Sequence, residues 1–181
     1  MSIRPIHLLG SPVLREQATH VGVVQDEIIQ LVKDLFDTMN ADDGIGLAAN
    51  QIGIARRVAV VQAEDDDQLV LIDPEIVERE GEELGEEGCL SIPDMFGDVV
   101  RAQRIVVETT SLGNERIRVE AEDLKARAIQ HEIDHLDGIL FIDHLSPLKR
   151  RMLVKKWKKL RKGETGHMKE VTAAPEPSTP R

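Results

Sequence analysis

The sequence predicts an α+β fold in which antiparallel β-sheets pack around a central helix, with an amphipathic helix ahead of them and a basic helix behind. A helical apolar spacing comes first, a series of short β-forming runs joined by polar turns fills the middle, and two further helical patterns follow. Helices and strands are therefore grouped rather than alternating. With 181 residues the chain is long enough for one well-buried core. Residues 1–162 are expected to form a single domain, and residues 163–181, polar and without apolar period, a disordered tail.

The opening is irregular and carries Pro5 and Pro12. Residues 25–40 then place Ile28, Leu31, Val32, Leu35, Phe36 and Met39 at helical spacing, with Asp26 and Glu27 at the end that favours negative charge. Gly44, Gly46 and Gly53 make helix continuation through residues 42–55 costly, so that stretch is expected to be a close-packed loop or turn. Runs rich in β-formers follow at residues 57–62, 69–72, 74–80, 104–110 and 116–120. Polar links at 63–68 and 111–115 suit antiparallel pairing of their neighbours. A second helix should begin near Glu122 or Asp123, place Leu124, Ala128, His131 and His135 on one face, and stop at Gly138. A third should follow Pro147 and run to residue 162, with Leu148, Met152, Leu153, Trp157 and Leu160 as an apolar stripe among basic residues.

Composition removes several function classes. The chain has no Tyr, one Trp and three Phe, too few rings for a nucleic-acid reader that stacks bases. The net charge of -10 repels phosphate over most of the surface, so DNA is not an expected partner. Nine of the 23 basic residues lie within 146–162, a segment without acids. No apolar run is long enough to enter a membrane and the start lacks the pattern of a secretory signal, so a cytoplasmic protein is expected. Cys89 is the only cysteine, a thiol that is either buried filler or chemically used.

The sharpest local signal is His131-Glu132-Ile133-Asp134-His135 inside the second helix. Residues four apart share a helical face, so His131 and His135 can offer two nitrogens to one metal ion, with Glu132 beside them. Two exposed helical histidines are the plainer alternative. The apolar neighbours Leu124, Ala128, Ile129, Ile139, Leu140 and Phe141 argue against it, because burying two unpaired imidazoles is costly. A third ligand is needed. Glu164 and Glu170 fall in the tail, as does His167, and His144 lies past the helix end. Cys89, in Glu87-Gly88-Cys89-Leu90-Ser91, is the remaining candidate, although a lone cysteine is more often a small buried hydrophobe.

Three segments, GIGLAANQ at 44–51, EGCLS at 87–91 and QHEIDHLDG at 130–138, resemble the three signature motifs of peptide deformylases, in that family's order. The likeness spans roughly residues 3 to 145. It implies that Cys89, His131 and His135 bind one divalent metal ion, making the central helix a metal-binding one, and that Glu132 is the catalytic acid and base. It also implies that Gln51 and the Leu90 backbone N–H assist the reacting carbonyl oxygen. Ile45, Leu124 and Ala128 would line a methionine pocket, Gly46 would meet peptide main chain, and Glu87 with Arg101 would form a supporting ion pair. Ala102 follows Arg101 where the family often has Pro.

The implied activity is hydrolysis of the N-formyl group from the N-terminal formyl-methionine of nascent polypeptides, releasing formate. Iron(II) is the implied native ion, with zinc, nickel or cobalt as substitutes, all compatible with one thiolate and two imidazoles. The basic third helix reads either as a solvated face or as a surface that docks on the ribosome, whose RNA is anionic. Competing readings are a zinc peptidase using the same histidines and Glu132, which leaves Cys89 and Gln51 without a task, and a deformylase-like fold that only binds. Binding alone needs no general base, which speaks for catalysis.

Overall fold

A computed structural model describes residues 2–173. In chain order it runs β1 (Ile6–His7), α1 (Asp26–Ala41), β2 (Gly46–Ala48), β3 (Val58–Val61), β4 (Leu69–Ile72), β5 (Glu75–Glu80), β6 (Glu83–Cys89), β7 (Ile92–Arg101), β8 (Arg104–Thr110), β9 (Arg116–Glu122), α2 (Asp123–Leu136), α3 (Pro147–Leu160) and β10 (Met168–Lys169). Short 3-10 turns occupy Pro12–Arg15, Ala49–Ile52 and Phe141–His144. The strands form two three-stranded sheets, β2-β3-β4 and β5-β8-β9, and two pairs, β6-β7 and β1-β10. Every one of these pairings is antiparallel, giving the α+β architecture expected.

The first sheet is apolar on both faces, and this places the helices. Val58 and Val60 of β3 point to a core with Ile28, Leu31, Val32, Leu35 and Met39 of α1. Ala59 and Val61 alternate to the other side, where they meet Ala126, Ala128, Ile129, Ile133 and Leu136 of α2. The second sheet adds Ile105, Val107 and Ala121 to that core, so α2 is packed between two sheets and is buried along most of its length. A third core joins Ile92, Met95 and Val99 of β7 to Phe141, Leu153 and Trp157, so α3 is seated by Leu153 and Trp157, whereas Leu148, Met152 and Leu160 of the expected stripe are exposed to solvent. Helix α2 ends before Gly138, whose φ of 74° suits glycine and where a Cβ would lie 2.6 Å from the Arg15 carbonyl oxygen. No helix among the described residues is long and apolar enough to cross a membrane.

Three expectations need correction. The 42–55 segment is not only loop, because Gly46–Ala48 pairs with β3 as strand β2 before the Ala49–Ile52 turn. The hairpin of β6 and β7 was not anticipated: β6 is acidic and glycine-rich, and β7 interrupts its apolar residues with Pro93, Gly97 and two aspartates. The tail is not disordered from residue 163 onward. Met168–Lys169 pairs with β1, the Leu8 N–H donates to the His167 carbonyl at 2.7 Å, and Val171 packs against the α1 core. Residues 174–181 lie outside the described residues.

Candidate functional site

The helix period that suggested a shared face for His131 and His135 brings their Nε2 atoms to 3.1 Å. Cys89, at the end of β6 where the register shifts opposite β7, brings its Sγ to 3.3 Å from His135 Nε2. The three donor atoms lie within 4.8 Å of one another. A tetrahedral ion with sulfur at about 2.3 Å and nitrogen at about 2.0–2.1 Å sets S···N and N···N edges of roughly 3.6 and 3.3 Å. The edges from His135 to Cys89 and to His131 are slightly shorter than those values, so the donor set fits a metal with a small adjustment.

The surroundings orient these donors. His131 Nδ1 lies 2.9 Å from Glu87 Oε1, which fixes the proton on Nδ1 and turns Nε2 towards Cys89 and His135. Glu87 also accepts from Arg101 Nε and Nη2 at 2.8 and 2.9 Å, and from Arg127 Nη1 at 2.8 Å. Arg127 further donates to the carbonyls of Val99 and Glu83, both at 2.8 Å. It thus bolts the hairpin that carries Cys89 to the helix that carries the imidazoles. Gly85 permits this, since a Cβ there would come within 2.8 Å of the Arg127 guanidinium.

Charge in the cluster is strongly coupled. Burial pushes the Glu87 carboxyl up, but hydrogen bonds from Arg101 and His131 outweigh it and hold the group well below its ordinary value. Burial pushes His131 down, yet its contacts with Cys89 and Glu87 raise it well above the usual imidazole value. His135 is pushed well below that value by burial and by the charge on His131. A cage that stabilises one positive charge among a thiol and two imidazoles is suited to a cation. Burial, reinforced by the charges of Glu87 and Asp134, pushes Glu132 up to about 7 against the opposing pull of His131 and Arg101. Its Oε2 and the Nδ1 of His135 are buried with no hydrogen-bond partner among the described residues.

Above the cluster opens a cavity of about 420 Å³. Ile45, Gly46, Gln51, Cys89, Leu90, Leu124, Ala128, His131 and Glu132 all border it, and His135 lies behind. Gln51 is locked in place, its Oε1 accepting from the Ala48 N–H at 2.9 Å and its Nε2 donating to Ser91 Oγ at 3.1 Å, with Cys89 Sγ at 3.7 Å. Two of the other candidate third ligands are engaged elsewhere: Glu164 pairs with Arg161, and His144 Nε2 lies 2.8 Å from Asp134 Oδ2.

The sequence profile of the polypeptide deformylase family matches residues 3–151. The chain belongs to that family. A peptide deformylase from Acidobacterium capsulatum is 45% identical over 166 residues, covering 90% of this chain and 98% of that protein. The crystal structure of a peptide deformylase from Legionella pneumophila is similar at a TM-score of 0.84 and 41% identity, covering 88% of this chain and 96% of the other. That of the Ehrlichia chaffeensis peptide deformylase in complex with actinonin has a TM-score of 0.85 at 34% identity, covering 90% and 99%. As a peptide deformylase the chain is a hydrolase that removes N-formyl groups from nascent peptides.

Three residues at this deformylase site escaped the sequence reading. Arg127 stands one helical turn before His131 on the same face, and a basic residue on a buried face was the available signal. Ser91 lay inside the EGCLS motif without an assigned task. Lys169 borders the cavity from the segment expected to be disordered, where nothing in the pattern marked it.

Proposed function

We propose that this deformylase uses Cys89, His131 and His135 to hold one divalent ion, iron(II) by the family likeness with zinc, nickel or cobalt able to substitute, and hydrolyses the formyl amide of N-terminal formyl-methionine. The observation that carries this reading is the meeting of a thiol and two imidazoles beside a carboxyl whose Oε2 is buried without a partner among the described residues, with Cys89, His131 and Glu132 bordering the cavity. When bound, the ion supplies Lewis acidity towards water and the formyl oxygen. Glu132, a buried carboxyl beside the metal ligands, takes a proton from the attacking water and returns it to the leaving amine. The bonds broken are the formyl C–N bond and a water O–H, and the products are formate and a free amino terminus.

Gln51 Nε2 and the Leu90 N–H would donate to the carbonyl oxygen as charge gathers on it. The Ala48 N–H donates to Gln51 Oε1, which leaves the Nε2 end of the amide as the donor in this reading. Losing one such donor typically costs about 10²-fold or more in rate. Gln51→Ala is therefore expected to lower kcat by about that factor with little change in KM; a change confined to KM would contradict the role.

Ile45, Leu124 and Ala128 would line the site for the methionine side chain, an unbranched chain that adapts to such walls. Strand β2 is an edge of its sheet, so Gly46 can offer main chain to an extended peptide. The reading is tested by giving metal-loaded protein a formyl-methionyl tripeptide and its acetyl twin. Formate and free amine from the first alone support it; cleavage at an internal peptide bond, or no formate at all, would sink it.

The cytoplasmic setting and ribosome docking belong to the same proposal. Lys155, Lys156, Lys158 and Lys159 are all exposed on α3 while Leu153 and Trp157 face inward. Salt-sensitive binding to ribosomes should be lost when these four lysines are made neutral. Unchanged binding would remove the docking role.

A further inference from the structure

We propose that Lys169 is a positioning residue for substrate binding, acting through Asp42 to hold the segment 42–46 that frames the active-site cavity. The proposal rests on the deformylase reading above.

The C-terminal strap that carries Lys169 is tied down at several points. Ile6 pairs with Lys169 and His7 with Met168. The His167 ring seats on Gly10, where a Cβ would lie 2.7 Å away and where φ is 106°, so glycine is what allows the close approach. Val171 adds an apolar anchor on the α1 core. The ammonium is thereby delivered to both carboxylate oxygens of Asp42, at 2.6 and 2.9 Å.

Asp42 caps the C-terminus of α1 and opens the turn into β2. Asp43 follows at φ 53°, a left-handed conformation that an aspartate tolerates but does not prefer. The Gly44 N–H donates to Met39 at 2.9 Å, and Ile45 accepts from the Gln62 N–H at 2.8 Å. The segment ends at Gly46, whose added Cβ would sit 2.5 Å from Glu132 Oε1. Where residues 42–46 lie therefore sets how substrate main chain approaches Glu132.

Charge makes the tie necessary. Asp42, Asp43, Glu86 and Asp94 all border the cavity, and the cations there are Lys169 and the inward-committed Arg127. The Lys169–Asp42 contact holds a turn already in an unfavourable conformation, and losing the charge of either partner releases it. A loosened segment presents Ile45 and Gly46 less well to peptide, while the metal ligands, Glu132 and Gln51 stay in place. The expected signature is weaker substrate binding with chemistry preserved.

The experiment uses the full chain carrying Lys169→Ala, Lys169→Arg, Asp42→Asn and the Lys169→Ala/Asp42→Asn pair, with formate release measured on a formyl-methionyl tripeptide. Lys169→Ala and Asp42→Asn should each raise KM about fivefold with kcat within about twofold of wild type. Lys169→Arg should restore most of the loss, and the double variant should be no worse than either single one, because both break one contact. Lys169→Met keeps the apolar stem and should behave like Lys169→Ala if that variant folds poorly. An unchanged KM in an active Lys169→Ala or Lys169→Met variant would overturn the proposal. So would multiplicative losses in the double variant, or a fall in kcat and melting temperature without a rise in KM. No formate from the wild type would instead defeat the deformylase reading itself, and this proposal with it.

Discussion

Glu132→Gln is expected to lower formate release about 10³-fold while leaving the metal content and the fold intact. The substitution keeps shape and volume in a position that is 4% exposed, so it removes proton affinity and little else. The wild-type carboxyl is pushed up to about 7, chiefly by burial, and the proposed role calls for a group that both accepts and returns a proton near neutrality. Gln can do neither. Gly46 crowds this side chain from the other side, so the carboxyl has little freedom to swing away from the cavity. If the Gln variant retained more than a small fraction of wild-type kcat at equal metal occupancy, proton transfer would have to be assigned elsewhere.

Glu87→Ala should be the most damaging substitution that touches neither substrate nor ion. Glu87 accepts from Arg101, Arg127 and His131 inside the protein, and its removal leaves two buried guanidinium groups short of their counter-charge. Breaking a buried pair from one side typically costs about 3–5 kcal/mol. Arg101 keeps Asp134 at 2.7 Å and Arg127 keeps its carbonyl partners, so the lower end of that range applies. His131 also loses the acceptor that orients its ring, and losses of this kind weaken metal retention by about 10- to 100-fold. The pH dependence has a definite sign. A carboxyl held below its ordinary value of 4.5 gives its full stabilisation above that pH and loses it as the pH falls towards the depressed folded-state value. The gap in melting temperature between wild type and Glu87→Ala should be wide at neutral pH and narrow in strong acid. Equal melting temperatures and equal metal retention at neutral pH would contradict this role.

The parts of the fold legible in the sequence are those in which one segment's own pattern decides its state. Helix α1 shows its apolar spacing, β3, β4, β5, β8 and β9 show β-forming composition, and Gly138 and Pro147 mark a stop and a start. Strand β6 was not legible because ELGEEGC has poor β-propensity and is held by others. Seven of its residues pair with β7, and Arg127 reaches the Glu83 carbonyl from across the molecule. The strap at Met168–Lys169 was hidden for the same reason, since two residues gain strand form only by adding to β1. At the site, periodicity alone placed His131, Glu132 and His135 together. Nothing in residue spacing joined Cys89 to them, and that link came from the motif likeness. The joint depends on a register shift between Gly88 and Cys89, a tertiary feature without a local signature.

The central claim is that one sulfur and two imidazoles share a single ion beside Glu132. X-ray absorption of the metal-loaded protein measures this directly. The predicted result is one sulfur at about 2.3 Å and two nitrogens at about 2.0–2.1 Å for the zinc form, with the sulfur signal abolished in Cys89→Ala. A first shell of nitrogen and oxygen alone in the wild type would contradict it.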